Sequence, residues 1–143
     1  MKIVVIEAGK KAKVTETENE KVSVKQIREL VGAFTVCYSR RKIGGKYYDL
    51  WHDEEAELGE YQKIVSGVLN GASNEVIVGN MVILKRFETA LNDEDVEEIF
   101  KPNHLIDNDS IMAFAGKDPR DDYYLGETTI IKAHSQWLVY EGM

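Results

Sequence analysis

One cysteine, two prolines and three histidines are all that this 143-residue chain holds of three residue types that shape much of protein chemistry. Cys37, being alone, cannot close an internal disulfide. It lies in an apolar segment, where a buried, inert thiol is expected, because a reactive thiol needs basic neighbours to lower its pKa. No apolar run approaches the ~20 residues that a membrane-spanning helix requires. The stretch 2–6 is too short for the hydrophobic region of a signal peptide, and Glu7 and Gly9 follow it. A cytoplasmic location is therefore expected. Neither common glycine pattern of phosphate-binding loops occurs, which disfavours ATP and dinucleotide enzymes. Basic residues are also in deficit, 18 Lys and Arg against 25 Asp and Glu, for a net charge of −7. Phosphate backbones are gripped with Lys and Arg, so direct nucleic-acid binding is not expected.

What is present is an ordinary globular composition, 43% hydrophobic and 30% charged, without repeats or low-complexity tracts. The length suits one domain with one core. Ile3, Val4, Val5 and Ile6 form a β-branched run that predicts a buried strand, and 11–18 predicts an antiparallel partner for it. Ser23 as an N-cap, the apolar spacing of Val24, Ile27, Leu30 and Val31, and Gly32 as terminator predict a helix over 24–31 whose stripe faces the core. Segments 34–39 and 46–52 predict two strands, joined by a turn at Gly44 and Gly45 with Arg40, Arg41 and Lys42 at an exposed loop tip. Tyr61, Ile64, Val65 and Val68 are spaced for a short helix over 60–69. Segment 75–86 predicts one strand. Asn92 or Asp93 caps a helix that buries Val96, Ile99 and Phe100, with acidic residues near its N-terminus and Lys101 and Pro102 at its end. Two further strands are expected at 128–133 and 137–140. Hairpin signals dominate, so the expected fold is a single α+β domain: a mostly antiparallel sheet with two or three helices on one face.

Several groups invite a chemical reading. His52 stands beside Asp53, Glu54 and Glu55, and His104 lies near Asp107 and Asp109. The first set reads as an acidic surface turn rather than a ligand set, and the second lacks the bend glycine and terminal glutamate of a calcium loop. A nucleophilic triad from His134, Ser135 and an aspartate has no elbow glycines to support it. No catalytic residue, metal or cofactor is expected on these grounds. The cluster 118–124 displays Arg120 beside Tyr123 and Tyr124, a trio able to stack on and pair with a nucleotide-like ligand.

The opening Lys2, Ile3, Val4, Val5, Ile6, Glu7, Ala8, Gly9 and Lys10, then 30–34, 76–83 and 91–100, resemble a family of small proteins from bacterial phages and plasmids known as a domain of unknown function. The resemblance covers about 1–101 and leaves 102–143 as a C-terminal extension expected to pack on the same core. It implies a mobile-element accessory protein that works by binding: a counter-defence protein that sequesters a nucleotide immune signal or blocks a host defence protein. Arg120, Tyr123 and Tyr124 are the expected ligand residues, in a pocket that an oligomer interface could complete. Asp53, Glu54, Glu55, Asp93, Glu94 and Glu97 are the residues expected to meet a basic partner surface. The alternatives are a metal-dependent phosphoesterase built from His52, His104 and nearby aspartates, and a structural or regulatory interaction protein.

Overall fold

A computed structural model describes residues 1–8, 10–55, 62–69, 75–102, 104–108, 130–133 and 139–141. Its first sheet is made of β1 (Lys2–Ile6), β2 (Lys13–Glu16), β3 (Val36–Ile43), β4 (Lys46–Asp53) and β7 (Met81–Lys85), in the order β2-β1-β7-β4-β3. Every pairing within it is antiparallel. Helices α1 (Val24–Val31) and α2 (Asp93–Ile99) complete this part of the chain. A second set of strands comprises β5 (Gln62–Leu69), β6 (Glu75–Val78), β8 (Leu105–Asn108), β9 (Ile130–Ala133) and β10 (Val139–Glu141). Here β5 pairs antiparallel with β6, β9 and β10, and β8 runs parallel to β9.

The continuous apolar run of β1 is explained by burial on both faces of the strand. Ile3 and Val5 point to one side with Val82, Leu84 and Trp51, where Ile27 and Val31 of α1 cover them. Val4 and Ile6 point to the other with Tyr48, Leu50 and Ile83, where Ile99 of α2 and Leu69 and Ile77 of the second strand set cover them. The α+β class and the mostly antiparallel sheet hold, but the two helices occupy opposite faces rather than one. A strand with no polar side in its sequence needs a cover on each face, and a single helical layer cannot supply both.

Local signals act as expected at the helix ends. The Ser23 hydroxyl accepts the Gln26 N–H at 3.1 Å, and Gly32 ends α1 in the left-handed region at φ 78°. Asn92 caps α2 and exchanges bonds with Asp95 in a capping box. Val24, expected in the core, is instead 40% exposed.

Three expectations give way to tertiary pairing, and one strand is unexpected. Segment 60–69 is not a helix: its described part is strand β5, and three strand partners fix its backbone bonds where a helix would leave their edges open. Segment 75–86 breaks at Gly79, whose φ of 82° turns the chain so that β6 joins β5 and β7 enters the first sheet. Arg40, Arg41 and Lys42 are not a loop tip but part of β3, with the turn confined to Gly44 and Gly45 at φ 59° and 86°. Arg40 is neutralised within the sheet by its cross-strand neighbour Asp49, at 2.7 Å, and Arg41 by Glu75 at 3.2 Å. Finally, β8 is a strand that no alternation in the sequence announced.

Candidate anion-binding site

The Gly44 and Gly45 turn starts β4 at the end of the sheet where β7 finishes, because Tyr48 pairs with Lys85 in the antiparallel register. Lys46 and Tyr47 are thereby brought beside Lys85 and Arg86. The chain then reverses over 86–88, and Thr89 returns to exchange backbone bonds with Lys85 at 2.9 and 3.3 Å. Together Lys46, Tyr47, Lys85, Arg86 and Thr89 line a cavity of about 350 Å³, at the lower end of the roughly 300–1,000 Å³ range of small-molecule sites.

The reversal is strained. Phe87 and Glu88 both hold positive φ, 61° and 52°, a conformation that costs a residue with a side chain about 1–2 kcal/mol. Phe87 is 68% exposed at the tip. The Arg86 guanidinium lies 5.3 Å and the Lys21 ammonium 5.9 Å from its ring centroid. Lys21 also donates to the Phe87 carbonyl at 2.8 Å and to the Thr89 hydroxyl at 3.0 Å, which holds the turn against the segment before α1. Consecutive strained residues are tolerated where surrounding contacts over-determine them, and such sites cluster at ligand clamps.

Beneath the cavity sits Asp95, 1% exposed. It accepts from the Tyr48 hydroxyl at 2.9 Å and the Asn92 N–H at 3.0 Å, and pairs with Lys85 at 3.0 Å and Lys46 at 3.6 Å. Burial pushes the Asp95 carboxyl up, but the Asn92 N–H, Lys85 and Tyr48 together outweigh it and hold the group below the usual carboxylate range. Burial first, and then this carboxylate, push the Tyr48 phenol up. Two of the three cations of the lining, Lys46 and Lys85, thus share one buried carboxylate, and Arg86 makes no ion pair among the described residues. A positive cavity on a chain of net charge −7 is a local reversal of field, suited to an anion. The exposed ring of Tyr47 (42%) adds a stacking wall. No histidine, cysteine or carboxylate is among the described residues that line the cavity.

A second polar cluster joins β3 to β6. Ser39 donates its hydroxyl proton to Glu75 at 2.6 Å and is therefore the acceptor for His52 Nε2 at 3.1 Å. His52 Nδ1 is left to accept from the Cys37 thiol at 3.6 Å. Burial, and then Glu54, Glu75 and Asp53, push this thiol up. A thiol so placed keeps its proton, and the set acts as a clasp between the two strand layers. Cys37 is half-buried rather than fully buried.

Of the expected site residues, Arg120, Tyr123 and Tyr124 lie outside the described residues, as do His134, Ser135 and Asp109. Glu54 and Glu55 are exposed at the end of β4, where the Asp53 carboxylate accepts the Glu55 N–H at 2.9 Å. Asp93, Glu94 and Glu97 are exposed on α2, with Asp93 paired to Lys2 at 2.6 Å. Lys2 is level with Lys85 and Tyr48 in the register, and Asp53 lies beyond Trp51 at the opposite end. The two acidic groups are thus separated along the sheet by five positions, about 17 Å at the rise of an antiparallel strand. His104 is buried with Nδ1 donating to the Glu98 carbonyl at 2.9 Å. Among the described residues no three His, Cys, Asp or Glu side chains are placed to hold a metal ion together. The cavity residues were missed because each reads as an ordinary strand-end residue, and only the pairing of β4 with β7 unites them.

Compared with protein-family models, curated proteins and solved structures, the chain matches none.

Proposed function

We propose that this protein is a non-catalytic binder of a small anionic ligand that carries a planar ring, a nucleotide-type molecule, in the cavity at the end of β4 and β7. The observation that carries the reading is the convergence of Lys46, Lys85 and Arg86 with the open ring of Tyr47 in one site. Lys85 and Arg86 supply charge-assisted donors for phosphate, and Tyr47 the stacking surface. On this reading the ligand residues are those of the first sheet, while Arg120, Tyr123 and Tyr124, the residues expected from the sequence, lie outside the described residues. On the phage and plasmid resemblance expected from the sequence, the proposal extends to a mobile-element accessory protein that sequesters a nucleotide immune signal in the host cytoplasm. Among the described residues no helix is long and apolar enough to cross a membrane.

Thermal stability against a panel of cyclic and linear nucleotides tests the reading. A ligand at ~100 times its Kd adds roughly 2.7 kcal/mol. At about 2.1 cal/mol/K of unfolding entropy per residue and 143 residues, the midpoint rises by about 9 °C. Arg86→Ala and Tyr47→Leu are expected to abolish most of the shift without lowering the unliganded midpoint by more than about 2 °C, since both side chains are exposed. If no nucleotide moves the transition, or if the variants respond like the parent, this reading fails.

A further inference from the structure

The outer side of α1 presents a second feature that the anion site does not use. Lys25, Arg28, Glu29 and Gly32 recur at three- and four-residue spacing and with Ala33 and Phe34 line a groove of about 380 Å³. Phe34, at its end, is 95% exposed. Val24, at the start of the helix, is exposed although its spacing belongs to the core stripe. A nearly naked phenylalanine beside an open groove is a contact without its partner.

We infer that the partner is a second copy of this chain, joined about a two-fold axis through the Arg28 and Glu29 region of α1. The charges argue for identity of the two surfaces. Arg28 and Glu29 are adjacent, of opposite sign, and both on the exposed side of the helix. Two such helices laid antiparallel place each Arg28 against Glu29 of the second copy, twice over by symmetry. Lys25 and Phe34 flank that centre in the groove lining, so each Phe34 falls on the alkyl stem of Lys25 across the axis. Gly32 leaves its part of the groove bare: a Cβ there would meet nothing within 4 Å, and its φ of +78° keeps larger residues out. Knob and groove on one surface satisfy a closed dimer, whereas a foreign partner would leave one of them unused.

Sedimentation velocity on the full chain at physiological salt tests the inference. The expected species has twice the monomer mass of 16.2 kDa, and it dissociates on dilution. Arg28→Glu and Glu29→Arg, each alone, place like charges across the axis twice and are expected to yield monomers. An equimolar mixture of the two variants is expected to restore a dimer, since every contact across the axis again joins opposite charges. Phe34→Ser is expected to weaken the dimer at least tenfold while circular dichroism stays unchanged. A chain that is monomeric at all concentrations overturns the inference, and so does a dimer that survives both charge reversals. Failure of the mixture to re-form a dimer overturns the antiparallel register. None of these outcomes depends on nucleotide binding.

Discussion

Replacing Asp95 by Asn removes one charge and turns one acceptor oxygen into a donor. The native carboxylate takes four contacts, from Tyr48 and Lys46 on one oxygen and from the Asn92 N–H and Lys85 on the other. A carboxamide can serve one pair, and its NH2 group then faces the two donors of the other. The loss comprises half of a capping box, about 1 kcal/mol, and a charge-assisted bond at a buried site, about 1.5–3 kcal/mol. Lys46 and Lys85 reach solvent, so neither is stranded as a buried charge and the larger penalty of a fully buried pair does not apply. The expected cost is about 2–4 kcal/mol at neutral pH. Spread over about 2.1 cal/mol/K per residue and 143 residues, this lowers the midpoint by about 7–13 °C. The pH dependence has a definite sign. Folding holds Asp95 below its unfolded value, which is near 3.9, so its stabilisation is complete above about pH 4 and is lost as pH falls through the lower folded value. Urea denaturation of the parent and Asp95→Asn at pH 7 and at pH 3 measures both parts. A difference below about 1 kcal/mol at pH 7 would refute the account of Asp95 as the hub of this end of the sheet. So would a gap that does not narrow at pH 3.

The same substitution is expected to act in the opposite direction on ligand. With the carboxylate gone the cavity is more positive, and the nucleotide-induced midpoint shift of Asp95→Asn should exceed the parent's although the unliganded protein is weaker. Glu88→Gly removes a side chain from a backbone at φ 52° and is expected to stabilise by about 0.5–1 kcal/mol in denaturant titration. Gly44→Ala should cost more than Gly45→Ala. Both incur the positive-φ penalty, but a Cβ at Gly44 also collides with the Glu98 side chain, whereas Gly45 has open space. Equal midpoints for the two alanine variants would count against the close approach of α2 to the turn.

The sequence by itself determined what is local. Ser23, Gly32 and Asn92 set helix limits because a cap is a bond between residues at most a turn apart, and α1 spans the residues its spacing predicts. The paired glycines at 44 and 45 specified their hairpin turn because few other residues adopt positive φ at both positions. Tertiary structure decided everything that depends on a distant partner. Ile64, Val65 and Val68 satisfy a helical stripe and a strand equally well, and the choice went to β5 only because three other strands supply its backbone bonds. Arg40 and Arg41 could enter a strand because Asp49 and Glu75 neutralise them there, and neither pairing is visible from a run of cations. The helices parted to opposite faces because β1 is apolar on both. The anion cavity is the extreme case, for its residues belong to the start of one strand and the end of another, and the register between β4 and β7 alone makes them neighbours. Local hydrogen bonding and backbone sterics are written in adjacent residues, whereas a binding site is a coincidence of register that only the packed chain defines.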